Sequence, residues 1–400
     1  MSTAAPGREP GPPAALLDDV RDRLLSAPGP VTDADIAEAV RASGRVLGAA
    51  GTLRAVQAVR AELTGLGPLE PLLPHRGLTD VYVNGPEQVW LETTSGVRRV
   101  PSPFGSDAEV RALAVRLVTA AGRRLDAAHP CVDVQTAAGY RVHAVLPPVS
   151  TGGTLLSVRF RSPVTLTLPD LVAAGTVHPA TAELLVGAVR SGASFLVSGA
   201  TGAGKTTVLN ALLACVPEHE RIVLIEDAAE LRPEHPHVVG LQARHANTEG
   251  AGGIDLAELV RQALRMRPDR LVVGECRGAE VRELFTALNT GHAGAGTVHA
   301  NSAAAVPARL AALGALAGMS RDAVTLQAAS ALDLVVHVAR AGGRREVQAV
   351  SVLEDRSGAL TTVPAAVRGP GGVRRGPGWD GLCVLLDRAP AAGGPAGRRP

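Results

Sequence analysis

Residues 195–213 read FLVSGATGAGKTTVLNALL. A short apolar run leads into G-x-x-x-x-G-K-[ST], with Gly199, Gly204, Lys205 and Thr206 at the fixed positions, and a helical pattern follows. Strand, loop and helix in that order make the motif a phosphate-binding loop rather than a chance match. Its glycines let successive backbone N–H groups turn inward as an anion nest at a helix N-terminus. The expected cradle is Gly199, Ala200, Thr201, Gly202, Ala203, Gly204, Lys205, Thr206 and Thr207. Lys205 would place its charge on the β- and γ-phosphates of ATP, and the Thr206 hydroxyl suits Mg2+.

Lys205 is the only lysine in the chain; every other member of the 40 basic residues is arginine. A compact ammonium fits among phosphates where a planar guanidinium does not. The single lysine therefore marks the loop.

Around it the pattern is βαβ. The apolar runs FLVSG, RIVLIED, RLVVGE and GTVHA alternate with helical stretches, which predicts a mainly parallel sheet buried on both faces. Two acidic groups fall at strand C-termini, where open α/β sheets bind ligands. One is Glu226-Asp227 with Glu230 close behind, and the other is Glu275. A phosphate loop needs such carboxylates to hold Mg2+ and to polarise water. The sequence leaves open which of Glu226, Asp227 and Glu230 matters most. Asp255 to Met266 reads as a helix capped by Asp255 and stopped by Pro268.

Towards the N-terminus, residues 1–15 are Pro/Gly/Ala-rich and expected to be disordered. Leu16, Leu17, Val20, Leu24 and Leu25 open a helical segment over 16–64. Residues 65–162 read as a small α+β domain, with strands around TDVYVNGP, YRVHAVLPP and TLLSVRF, and a helix from Asp107 to Gly122. A linker is expected over 163–175 and the ATPase domain over 176–361. Gly, Pro and Arg then predict a low-complexity, mostly disordered tail over 362–400.

Composition narrows the function. The net charge is +2, aromatics are 2%, and no basic tract alternates with aromatics, which argues against nucleic acid as partner. Cys131, Cys215, Cys276 and Cys383 form no CxxC pair, so a reducing cytosol is the expectation and Cys276 reads as a small buried residue. The N-terminus lacks the apolar core of a signal peptide, and no apolar run has membrane-spanning length. Membrane association is expected through a partner only.

Several stretches carry a family likeness. LRMRPDRLVVGECRG (264–278), IEDAAEL (225–231) and GHAGAGTVHANS (291–302) resemble the Walker B segment, Asp box and His box of type II/type IV secretion and pilus ATPases. GLGPLEPLL (65–73), TDVYVNGP and YRVHAVLPP resemble the N-terminal domain of the CpaF (Tad-type) group. The resemblance implies a RecA-like core behind a smaller α+β domain, in a homo-oligomeric ring expected to be a hexamer. It implies that Glu275 activates water, that Glu226 supports the metal or the water, and that His299, with His292 as a second candidate, senses the γ-phosphate. An arginine from the N-terminal domain, Arg159 first, with Arg141 and Arg161 beside it, would reach the nucleotide. The implied partner is a membrane-embedded platform protein, and the implied site of work is the cytoplasmic membrane. Two rival readings are a DNA-translocating or helicase-type ATPase and a non-hydrolysing nucleotide-binding scaffold.

Overall fold

The computed structural model describes residues 20, 33–43, 48–63, 65–75, 77–93, 95–160, 165–244 and 252–387. The expected disorder of residues 1–15, the positions Leu16, Leu17, Leu24 and Leu25, and Arg161 lie outside them. The chain divides into two compact units, residues 1–162 and 163–400.

In the first unit, helices Asp33–Ala42 and Gly48–Leu63 pair through Ile36, Val40, Ala55 and Val59, with Val20 against them. Six strands follow: β1 (Leu78–Asn84), β2 (Val89–Thr93), β3 (Gly96–Val100), β4 (Cys131–Gln135), β5 (Arg141–Val145) and β6 (Leu155–Arg159). They form an antiparallel sheet in the order β3-β2-β1-β6-β5-β4. Alternation along the strands turns Val81, Val83, Val142, Ala144, Leu156 and Val158 to one face. Helix Asp107–Ala120 covers that face with Val110, Leu113, Ala114 and Leu117. Ser106 caps this helix by accepting the Glu109 N–H.

Among the described residues, the second unit carries nine strands. They are β7 (Phe195–Gly199), β8 (Ile222–Glu226), β9 (Val238–Gln242), β10 (Arg270–Cys276), β11 (Ala293–His299), β12 (Leu334–Ala341), β13 (Arg344–Arg356), β14 (Ala359–Gly369) and β15 (Gly372–Arg375). Their order is β15-β14-β13-β12-β7-β11-β10-β8-β9, parallel from β12 to β9 and antiparallel from β12 to β15. The core strands bury both faces. Ile222 and Leu224 of β8 pack on the side of helices Pro179–Arg190 and Lys205–Leu213, while Val223 and Ile225 face helices Leu256–Leu264 and Glu280–Leu288. A sheet covered on both faces explains the near-continuous apolar runs in the sequence. Asp255 caps helix Leu256–Leu264 through the Glu258 N–H at 2.8 Å.

Two expectations need correction. The stretch read as a linker contains helix Leu168–Ala173, opened by a Thr167/Asp170 capping box, and Leu168 and Leu171 lie in the core. The stretch from 362 is not a structureless tail. The boundary at 361 falls inside β14, β15 follows, and helix Trp379–Leu386 ends the described chain. Val363, Ala365, Ala366, Leu382 and Leu385 are buried, and the Gly/Pro residues between them make the turns. Residues 388–400 lie outside the described ones. Among the described residues, no single helix is long and apolar enough to cross a membrane.

Candidate functional site

The phosphate loop runs from the end of β7 into helix Lys205–Leu213. Gly204, at φ +100°, is the left-handed residue that opens the helix, and Gly202 also has φ of +70°. Gly199 is required for space. A Cβ there would lie 2.3 Å from the Val338 carbonyl oxygen of neighbouring β12. On the same flank, Arg345 of β13 brings its Cδ within 3.4 Å of where a Gly204 Cβ would sit.

Strand order then decides which side chains meet the loop. Strand β11 pairs beside β7 with His299 opposite Gly199, β10 comes next with Glu275, and β8 follows with Glu226. All three ends point the same way because the ladders are parallel. Lys205 is 7% exposed, and its Nζ donates to the Ala200 carbonyl at 3.1 Å. The ammonium also lies 3.4 Å from His299 Nδ1. His299 Nε2 in turn stands 2.6 Å from Glu275 Oε1. The ammonium is 3.5 Å from Nε2 as well, so Lys205, His299 and Glu275 cluster at the loop.

Glu275 is aimed by a bulge. The β10–β11 register shifts between Val273 and Cys276, and the Thr297 hydroxyl donates to the Gly274 carbonyl at 2.7 Å. The bulge swings Glu275 out of ladder alternation, a device common beside active sites. Glu275 Oε2 accepts from Arg277 Nη2 at 2.5 Å. Oε1, although close to the imidazole, lies off its N–H direction and has no aligned hydrogen-bond partner among the described residues.

Burial by itself would raise the Glu275 carboxyl. The Arg277 hydrogen bond and charge, then His299 and Lys205, outweigh it and hold the group below the ordinary carboxylate value. Burial pushes Lys205 down despite Glu275 and Glu230. Burial also lowers His299, with Glu275 opposing and Lys205, Arg277 and Arg309 adding to the effect. A neutral imidazole has one ring nitrogen free to accept, and the Lys205 ammonium is nearly equidistant from both. Cys276 is fully buried and its thiol is pushed far up by that burial, as a packing residue should be.

Glu226 is 5% exposed, and its Oε1 accepts the N–H groups of Glu230 at 2.9 Å and Leu231 at 3.0 Å. It therefore shapes the loop after β8 as well as facing Gly274. No group of three or more His, Cys, Asp or Glu among the described residues forms a metal cage. The donor set instead fits Mg2+ held by one hydroxyl, water and a nucleotide's own phosphates.

The remaining candidates lie elsewhere. His292 precedes β11 at its opposite end, about 20 Å from His299 at about 3.3 Å per residue. Its ring contacts Thr290 and the Ala287 carbonyl, so it does not join His299 at the loop. Arg159 and Arg141 face each other across β6 and β5 of the first unit. Arg159 donates to Asp80 at 3.0 Å, and Arg141 forms a two-pronged pair with Asp133. Sequence reasoning missed Arg277 as the partner of Glu275 and Thr297 as the clamp on the bulge. Neither was legible: Arg277 lies just past the end of β10, and the bulge breaks the strand's two-residue alternation at Glu275.

A glycine cradle on a parallel sheet, a buried lysine at its lip and carboxylates at the adjoining strand ends define a P-loop nucleotide-binding protein. Residues 62–362 match the family described as "Type II/IV secretion system protein", and the chain belongs to that family. It is 52% identical over 326 residues to a "Putative conjugal transfer protein" of Mycobacterium tuberculosis, an alignment covering 80% of this chain and 93% of that one. It is 35% identical over 264 residues to the type IV secretion system protein PtlH of Bordetella pertussis, covering 60% and 77%. Among solved structures, the Legionella pneumophila ATPase DotB has a similar fold, with a TM-score of 0.50 at 19% identity over 70% of this chain and 78% of that one.

Proposed function

We propose that the chain hydrolyses ATP and turns the cycle into mechanical work for a secretion or conjugal-transfer machine at the cytoplasmic membrane. The observation that carries this reading is the clustering of Lys205, His299 and Glu275 at the loop. Lys205 holds the β- and γ-phosphates, and the backbone N–H groups of 199–206 supply the anion nest. Bound Mg2+ would neutralise charge on the phosphate oxygens, with the Thr206 hydroxyl as ligand and Glu226 acting through water.

Glu275 takes the attacking water. A carboxylate held below its ordinary value is a weak base, so its work is to orient and polarise rather than to remove a proton fully. Phosphoryl transfer asks for little more, because its transition state is largely dissociative. His299, neutral and near both Lys205 and Glu275, relays the state of the γ-phosphate to the carboxylate.

The finer parts of the reading rest on the family. The chain works as a homo-oligomeric ring, six subunits being the family habit, docked on a membrane-embedded platform protein. Arg159 or Arg141 reaches a nucleotide from the first unit once its aspartate partner releases it, since arginine suits phosphoryl charge. Pilus assembly of the Tad type is one such task, suggested by GLGPLEPLL and TDVYVNGP.

The test is to purify the Glu275→Gln variant under Mg·ATP from native membranes and identify what accompanies it. A polytopic membrane protein retained in an ATP-dependent way is expected. Bound DNA, with turnover stimulated by DNA, would overturn the proposal in favour of a translocase.

A further inference from the structure

The bulge at Gly274-Glu275 leaves the two oxygens of Glu275 in different surroundings. Oε2 is held by Arg277 Nη2 at 2.5 Å, whereas Oε1 is buried, 2.6 Å from His299 Nε2, and without an aligned partner among the described residues. The terminal torsion of a glutamate is broad and two-fold, so an untethered carboxylate presents either oxygen. The Arg277 contact removes that freedom.

The segment bearing Arg277 is itself fixed. Glu280, 7% exposed at the start of helix Glu280–Leu288, accepts the backbone N–H groups of both Arg277 and Gly278, the latter at 2.8 Å. Acidic caps at a helix N-terminus are favourable, so this anchor is a strong one. A line of support runs from Glu280 through the Arg277 backbone and guanidinium to Oε2. On the other side, His299 approaches Oε1, and the Lys205 ammonium lies near both imidazole nitrogens.

We propose that Arg277 is a positioning residue for ATP hydrolysis: it pins Oε2 of Glu275 and so holds the carboxylate in the one orientation that aims the attacking water. The proposal rests on the hydrolytic reading of Glu275 given above. It assigns Arg277 no contact with phosphate, although its side chain is 50% exposed. The distinction is measurable, because a residue that aims the base acts on the chemical step, whereas a phosphate contact acts on nucleotide binding.

The experiment is steady-state turnover of the full chain with Mg·ATP in wild type, Arg277→Ala and Arg277→Lys, with Glu275→Gln as reference. Arg277→Ala should lower kcat about ten- to a hundredfold, the cost of a misaimed group, while KM for ATP stays within about twofold. Arg277→Lys restores one of the donors but not the planar fork, so its kcat should fall between the two. Thermal midpoints near wild type would show that both variants fold. Should Arg277→Ala not fold, Arg277→Lys alone decides, through a lowered kcat at unchanged KM. Wild-type kcat in Arg277→Ala, a lysine variant no better than alanine, or a KM rise exceeding the kcat loss would each overturn the proposal. Wild-type turnover in Glu275→Gln would instead remove the hydrolytic reading beneath it.

Discussion

The backbone of Gly274 passes so close to Glu226 that a Cβ at position 274 would lie 2.7 Å from the Glu226 Cγ. The residue before Glu275 is therefore a glycine for space. The ends of β8 and β10 are locked together at the place where both carboxylates emerge, and a change at 274 moves both.

Gly274→Ala should accordingly cut ATP turnover more than about tenfold through misplacement of Glu275 and Glu226. Its cost in stability should be moderate, about 1–3 kcal/mol for overpacking. Paired kinetics and denaturant unfolding check this. Turnover within twofold of wild type at unchanged stability would show that the two strand ends are not coupled.

The C-terminal segment makes a separate prediction. Leu382 is fully buried in the core shared with helix Pro179–Arg190, where Leu386 comes within 3.0 Å of the position a Gly187 Cβ would take. Leu382→Ala should cost about 2–5 kcal/mol, as large-to-small core substitutions do. Chemical denaturation of the full chain measures it, and a loss below about 0.5 kcal/mol, the level of surface substitutions, would contradict the placement.

Acidification should destabilise the second unit in a definite window. His337 is 4% exposed, its Nδ1 lies 3.0 Å from the Ser198 hydroxyl, and burial lowers its pKa from 6.5; His299 is lowered too. A group depressed on folding contributes stability that is complete above its unfolded value and is lost as pH falls through the folded one. The loss therefore begins below pH 6.5, before carboxylates such as Glu275, lowered from 4.5, begin to titrate. Thermal midpoints measured down to about pH 5 should fall, and should fall less steeply in His337→Gln. An identical pH slope in that variant would sink the assignment.

Much of this was legible in the sequence, and for physical reasons. The loop 199–206 is contiguous, so its chemistry can be read without the fold, and buried parallel strands announce themselves as apolar runs. Glu226 and Glu275 followed from their place after such runs. Strand order was not legible. Only β11 lying between β7 and β10 puts His299 against both Lys205 and Glu275, and no local signal encodes that. The same order leaves His292 at the far end of the strand. The C-terminal strands were obscured because turns at Gly369, Gly372 and Gly376 dilute a few buried residues to a composition that looks unstructured. The Thr167/Asp170 capping box was visible but lay in a stretch too short to show helical period.

The central claim is that Glu275 acts on water while Lys205 and the loop hold the nucleotide. Parallel measurement of ATP binding and ATP turnover in Glu275→Gln tests it most directly. Retained affinity, within a few-fold of wild type, together with turnover reduced at least about a hundredfold, is the predicted result. Turnover equal to wild type in a variant that binds ATP normally would contradict it.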